Sequence, residues 1–328
     1  MQAIQVQRHD SGTSLTIGES PTPHPAPDEL LVRIKATALN RADLHQRAGN
    51  YPPPEGASDI LGLEMAGVVE KTGEEVEGWE IGDRVFALLP GGGYAQYCTI
   101  PAEMGMRIPE NLSFVEAAAV PETFLTAFQA LHWLGELKEK ETVLLHAAGS
   151  GVGTSAIQLA RHLYRARIVT TAGKERKLDT AKELGADYAF HYKEQNFAEE
   201  ITGALGEEPV DLIIDFIGEP YWRKNMEVLA TDGRLVYLSF LGGHRIDNIS
   251  LVPILRKRLK IIGSTLRSRD KDYKIALTRD FAQEALSLFE EGVLRPVIDS
   301  TFDWGETEKA HQRMQNNQNT GKIVLTGM

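Results

Sequence analysis

The chain has 328 residues, long enough for two domains or for one domain inserted into another. Its 42% hydrophobic and 25% charged residues suit a globular protein, and a net charge of −11 disfavours broad nucleic-acid binding, which needs clustered Lys and Arg. No apolar run nears the roughly 18 residues that cross a bilayer, the first residues lack the basic-then-apolar pattern of a signal peptide, and the single cysteine, Cys98, excludes an intramolecular disulfide and a Cys-based zinc site. The cytoplasm is the expected location.

The first 120 residues read as β-rich. Strands are expected at Leu30–Ala36, Ala66–Glu70, Arg84–Leu88 and Tyr94–Ile100, punctuated by Pro21–Pro27, Pro52-Pro53-Pro54 and Gly91-Gly92-Gly93. Short strands at this spacing predict a barrel or curled sheet. After Pro121 apolar strands alternate with helical stretches, which predicts βαβ units and a parallel sheet. The strands are Thr142–His146, Ile168–Thr171, Tyr188–Phe190, Leu212–Asp215, Arg234–Leu238 and Lys260–Gly263. Helices are expected at Ser155–Leu163, Lys174–Leu184 and around Tyr221–Leu229. This is a doubly wound dinucleotide-binding pattern. Beyond it come a helix near Tyr273–Glu290, a strand at Ser300–Phe302, a helix near Glu306–Asn316 and a strand at Lys322–Leu325. These pieces cannot form a core alone, so they should join the N-terminal β-domain. The expected division is residues 1–121 with 270–328, and an inserted α/β Rossmann domain at 122–269.

Residues 147–153 read Ala-Ala-Gly-Ser-Gly-Val-Gly, directly after a strand and before a helix. Small residues let a pyrophosphate approach the backbone, and the helix N-terminus offers unpaired N–H groups. A strand–helix turn without a ligand is the alternative, and the surrounding βαβ pattern argues against it. An acidic residue usually ends the second strand when the ribose carries a 2′-hydroxyl. Here the segment reads Thr170-Thr171-Ala172-Gly173-Lys174-Glu175-Arg176-Lys177, which favours a 2′-phosphate and therefore NADPH. Lys177 is either its partner or an ordinary helix lysine. The basic run Arg256-Lys257-Arg258-Leu259-Lys260 is either a solvated helix end or a phosphate site.

With these residues in hand, the chain resembles the zinc-independent quinone oxidoreductases of the medium-chain dehydrogenase/reductase superfamily over nearly its whole length. The resemblance is carried by Ala38–Leu44, Ile60–Glu64, Ala87–Gly93, Ala147–Gly153 and Leu266–Asp270. It implies a GroES-like catalytic domain around the Rossmann insert, and a nicotinamide in the cleft between domains near Asn40, Thr126 and the Phe240 segment. Ser150, Gly151, Val152 and Gly153 would hold the pyrophosphate, and Gly173, Lys177 and Tyr192 the 2′-phosphate. Phe240, Leu241 and Gly242, then Leu266 and Arg267, match segments on the nicotinamide side, and Lys322 lies where the last strand returns to the cofactor. Tyr51 matches an aromatic beside the quinone pocket.

Departures from the wider superfamily matter equally. Asn40 and Leu63 stand where zinc alcohol dehydrogenases carry Cys and His ligands, and the four-cysteine lobe is absent between Leu88 and Tyr94. No metal is therefore expected, and Glu64 reads as structural. Ser150 replaces a usual glycine, and His45 replaces a usual tyrosine, as either a proton donor or a polar wall residue. The expected reaction is hydride transfer from NADPH to a quinone, with Asn40, His45 and Tyr51 at the acceptor. An enone or enoyl reductase is the nearest alternative; a non-catalytic NADPH sensor or RNA-binding protein is one of another class. A homodimer is expected from the resemblance, supported by apolar edge segments at Leu235–Leu241 and Ile261-Ile262.

Overall fold

The computed structural model describes residues 1–10 and 12–328. They form two compact units, one of Met1–Leu125 with Arg267–Met328 and one of Thr126–Leu266. The expected boundaries were 121/122 and 269/270.

The first unit contains β1 (Gln2–His9), β2 (Gly12–Glu19), β3 (Glu29–Ala38), α1 (Arg41–Arg47), β4 (Glu64–Thr72), β5 (Arg84–Leu88), β6 (Tyr97–Pro101), β7 (Met106–Arg107) and α2 (Phe114–Ala117). Helix α3 (Pro121–Phe128) runs across the boundary. The seven-stranded sheet has the order β14-β15-β3-β4-β5-β7, with β6 paired to β3. Here β14 is Ile298–Asp303 and β15 is Lys322–Thr326, reached after α9 (Lys271–Glu290) and α10 (Thr307–Gln315). The C-terminal segments thus complete the N-terminal sheet: Val324 pairs with Ala38 and Leu325 with Thr37. Alternation along β3 places Leu30, Val32 and Ile34 in a core with Met65, Val85 and Ile100. Each such buried aliphatic side chain contributes roughly 1.5–3 kcal/mol.

Two local readings change. The strand expected from Tyr94 begins at Tyr97. Tyr94 is instead fully buried, its N–H donating to Leu61 O and its carbonyl accepting from Ile4 N, so the chain bends there. The β1–β2 hairpin had no clear sequence signal, because most of its residues are polar and none of β2 is fully buried.

The second unit is an α/β unit with a six-stranded parallel sheet, order β10-β9-β8-β11-β12-β13. The strands are β8 (Thr142–Leu145), β9 (Arg167–Ala172), β10 (Tyr188–His191), β11 (Val210–Asp215), β12 (Leu229–Tyr237) and β13 (Lys260–Gly263). The helices are α4 (Gly151–Tyr164), α5 (Glu175–Glu183), α6 (Phe197–Leu205), α7 (Trp222–Val228) and α8 (Val252–Arg256). Leu144, Val169, Ile213 and Leu235 from the sheet pack with Phe197, Ile201, Trp222 and Met226 from the helices. The order reverses between β8 and β11. In open parallel sheets such a switch point opens a crevice at the carboxyl ends of the strands.

The basic run is consumed inside this unit. Lys257 Nζ donates to Met226 O and Leu229 O at 2.7 and 2.8 Å, capping the end of α7. Arg258 pairs with Asp232 and Lys260 with Glu136. Lys257, Arg258 and Lys260 thus have protein partners within the unit.

Candidate functional site

In the second unit, the sequence between β8 and α4 builds a tight loop that opens onto a helix N-terminus. Ala147 sits in the left-handed region at φ 55°, turning the chain sharply after the strand. Gly153 has no room for a side chain: a Cβ there would lie 2.5 Å from Ala147 O. Helix and strand therefore approach more closely than any other residue allows. Ser150 caps the helix, its Oγ accepting from Gly153 N at 2.9 Å. Ser150 has φ −78°, so a glycine is not needed there, and the serine supplies a cap that glycine lacks. The helix itself has no carbonyls for the N–H groups of Gly151 and Val152 in its first turn, which leaves donors and a positive dipole end for an anion.

Lys177 and Tyr192 border this loop. A Cβ on Gly149 would meet the Lys177 stem at 2.4 Å, and one on Gly173 would meet the Tyr192 ring at 2.8 Å. Both glycines are thus dictated by the side chains passing over them. Leu241 N donates to Phe216 O and Gly242 N to Ile217 O, while the Phe240 and Leu241 side chains stay exposed. Thr126 has a buried hydroxyl without a hydrogen-bond partner among the described residues, and Leu266 is buried. An orphaned buried hydroxyl and a loop with no room for a Cβ at Gly149 and Gly153 fit a dinucleotide.

Below the switch point runs a buried polar chain that the sequence did not reveal. Asp215 accepts from the N–H groups of Ile217 and Gly218 and from Asn225 Nδ2. The Asn225 amide is thereby oriented so that its oxygen faces His146 Nε2 at 2.9 Å. Nε2 must then carry the proton, and Nδ1 accepts from Thr171 Oγ1 at 2.9 Å. Burial holds the His146 ring below its usual value, which favours the neutral form. This chain ties the carboxyl ends of β8, β9 and β11 together.

In the first unit, Lys322 from β15 is the centre of a polar cluster. Its ammonium donates to Leu39 O at 2.8 Å, Asn40 Oδ1 at 2.6 Å and Glu64 Oε1 at 2.6 Å. Asn40 Nδ2 donates to the same Glu64 oxygen at 2.7 Å. Glu64 Oε2 accepts from the backbone N–H of Glu122 at 2.9 Å, at the start of α3. Lys322, Asn40 and Glu64 are buried. All three ammonium protons are committed, so the charge is compensated without water. Glu64 is more than structural filler: it is the anion that fixes both neighbours.

A second layer supports the first. Asp43 Oδ2 accepts from Asn40 N at 2.7 Å, and its Oδ1 accepts from Gly62 N at 3.0 Å. The Asn-x-x-Asp spacing at the start of α1 encodes the first of these contacts. Burial lifts the Asp43 carboxyl to about 6. Tyr94 OH reaches His311 Nε2 at 3.1 Å, and burial holds that imidazole down at about 3. Glu122 is half-buried, and burial raises its carboxyl to about 7 against the pull of Lys322.

Arg267 fixes the neighbouring loop. Its Nε donates to Pro90 O at 2.8 Å, Nη1 to Tyr51 O at 3.3 Å and Nη2 to Gln46 Oε1 at 2.7 Å. The guanidinium also lies 5.1 Å from the Tyr51 ring centre. Tyr51 is half-buried, whereas His45 is exposed on α1. Asn40 and Lys322 are thus joined through Glu64, and Tyr51 and Arg267 through their own contact, while His45 takes part in neither arrangement. Sequence reasoning missed Asp43, Glu122, Tyr94, His311 and Gln46. Only Asp43 had a readable signal, its capping position.

A zinc ion does not fit this cluster. Leu63 is buried and apolar, the Asn40 amide is engaged, and a lysine ammonium already neutralises Glu64. Among the described residues no group of three or more His, Cys, Asp or Glu is arranged to hold a metal.

Residues 26–110 match the alcohol dehydrogenase GroES-like domain, and residues 151–288 match the zinc-binding dehydrogenase family. The chain is 31% identical to the human protein named quinone oxidoreductase, over 92% of this chain and 90% of that one. The structure of the Escherichia coli quinone oxidoreductase complexed with NADPH superposes with a TM-score of 0.87 at 27% identity, covering 100% of both chains. A structure described as an NAD-dependent alcohol dehydrogenase superposes with a TM-score of 0.86 at 32% identity, again covering 100% of both.

Proposed function

The chain belongs to the medium-chain dehydrogenase/reductase superfamily, and from that premise we propose that it reduces quinones with NADPH, by hydride transfer and without zinc. The observation that carries the reading is the Lys322–Glu64–Asn40 cluster, because it fills with an internal cation the position where alcohol oxidation would need a Lewis acid. Likeness to quinone oxidoreductases, including one bound to NADPH, supports the cofactor and the acceptor class. Gly151 and Val152 offer N–H groups to the pyrophosphate, with the Ser150 hydroxyl beside them. Lys177 and Tyr192 meet the 2′-phosphate, and β9 ends Thr171-Ala172-Gly173 with no acidic side chain there to favour a free ribose hydroxyl. Thr126, Phe240–Gly242 and Leu266 are the second unit's further candidates for the cofactor, and Lys322, which holds Asn40, is the first unit's.

Bound NADPH supplies the hydride. The residues of the chain orient and shield. Tyr51, steadied by Arg267, offers a flat apolar face and a phenol to the acceptor. Asn40 keeps one amide geometry because both ends of its side chain are engaged. His45, exposed on α1, is placed at the rim. The same positions serve an enone as well as a quinone. We also infer a cytoplasmic homodimer: β13 is an edge strand with Ile261 exposed, beside α8 with Leu255 82% exposed. No helix among the described residues is long and apolar enough to cross a membrane.

Steady-state oxidation of NADPH and NADH against a panel of quinones, enones and alcohols tests the reading. Turnover with quinones and NADPH is expected. Turnover confined to alcohols with NAD, as the NAD-dependent neighbour's description suggests, overturns it.

A further inference from the structure

Glu122 is the one carboxylate of the Lys322 cluster that the cluster does not serve. Its backbone N–H fixes it against Glu64 at 2.9 Å, yet its own carboxyl accepts no hydrogen bond from any described residue. Lys322 spends its three protons on Leu39 O, Asn40 Oδ1 and Glu64 Oε1. Asp43 is served by two backbone N–H groups. Three carboxylates thus share one cation, and Glu122 is left half-buried without a donor. Such a carboxyl lowers its free energy by keeping a proton.

We propose that Glu122 is the resident acid of this site, holding the proton that passes to the acceptor's oxygen as the acceptor is reduced. This rests on the acceptor reading above. The balance is simple. Hydride brings two electrons to the acceptor, the O–H bond of the Glu122 carboxyl breaks, and an O–H bond forms on the acceptor. Glu122 is left as a carboxylate and regains a proton from water, which its partial exposure permits. The groups acting on it are Lys322 on β15, Glu64 on β4, Asp43 on α1 and the Tyr51 phenol. Burial sets its carboxyl near 7, so the acid form is well populated at neutral pH. An enolate takes up its proton more urgently than a hydroquinone anion, so enones should depend on Glu122 more than quinones do.

Difference infrared titration of the whole enzyme, wild type against Glu122→Gln, reads the proton directly. A carboxylic-acid carbonyl band that titrates near pH 7 in wild type and is missing in the variant is expected. In parallel, kcat/KM of wild type should fall as pH rises through about 7. Glu122→Gln should be slower by about a hundredfold with an enone and should lose that ionisation, general acids commonly giving 10²–10⁴-fold. Glu122→Asp, which keeps an acid, should recover part of the rate and its pH dependence, and fluorescence should show NADPH affinity little changed in both. Carboxylic-acid intensity titrating near pH 7 that is undiminished in Glu122→Gln, beyond the band Asp43 contributes near 6 in both proteins, or an unaltered pH profile in a variant that still oxidises NADPH, overturns the proposal alone. No NADPH oxidation by wild type with any acceptor overturns the reading beneath it.

Discussion

The ammonium of Lys322 lies 2.6 Å from the side-chain oxygen of Asn40, across 282 positions of sequence. It lies equally close to Glu64, so one cation holds the amide and the carboxylate in a single arrangement.

Removing that cation should be costly. Lys322→Met leaves Glu64 charged and buried, and breaking one side of such a pair costs about 3–5 kcal/mol. Glu64→Gln in the same chain should recover much of the loss. Denaturant unfolding of the two single variants and the double variant measures the coupling. Additive losses would show that the pair does not act as a unit.

His311 should shape acid stability. Its folded-state value, about 3, lies below the ordinary 6.5 of a free imidazole. The neutral ring therefore stabilises the fold fully above pH 6.5, and that contribution is lost as pH falls toward 3. His311→Phe should lose less stability than wild type over this window, the difference reaching up to about 4 kcal/mol at the acid end. Thermal unfolding at several pH values gives it; parallel curves for the two proteins would refute the assignment.

Lys177→Ala should weaken NADPH and spare NADH. A charge-assisted contact with the 2′-phosphate is worth about 1.5–3 kcal/mol, or roughly ten- to a hundredfold in affinity. Titration of both cofactors into both proteins decides it. Equal losses for the two cofactors would mean that the lysine stem merely packs over Gly149.

Tyr51→Ala should lower kcat/KM for quinones by about tenfold or more with NADPH affinity kept, while Tyr51→Phe retains the stacked ring and loses only the phenol's share. A loss confined to NADPH binding would show that the residue belongs to the cofactor instead.

Purified protein should carry far less than about one zinc per chain, and chelators should leave its activity intact. Elemental analysis and a chelator time course settle this. Stoichiometric zinc with activity lost on chelation contradicts the displacement of the metal by Lys322.

The second unit was the more legible in sequence, because continuous apolar strands such as Thr142–Leu145 alternate with helices and announce themselves locally. The first unit was harder. Its β1–β2 hairpin buries fully only Ala3 and Ile4 among mostly polar residues, and Tyr94 breaks a run that otherwise reads as strand. The loop at Ala147–Gly153 could be found because its meaning depends on neighbours in sequence. The Lys322 cluster depends on contacts spanning up to 283 positions, and no local pattern encodes them. His146 and Asp215 are likewise 69 positions apart and joined only through Asn225.

That long separation also bears on how the chain is made. Residues 126–266 are continuous and can close as soon as they have left the ribosome, whereas the first 125 cannot complete their sheet until β15 exists. At roughly 5–20 residues per second, Lys322 follows Asn40 by about 15–60 s. During that interval the Glu64 carboxylate has no counter-charge, the Asn40 amide oxygen lacks its donor, and both must remain hydrated. The N-terminal segment is thus an open half-sheet that waits for its cation, and the nascent chain should be most vulnerable to aggregation and proteolysis there.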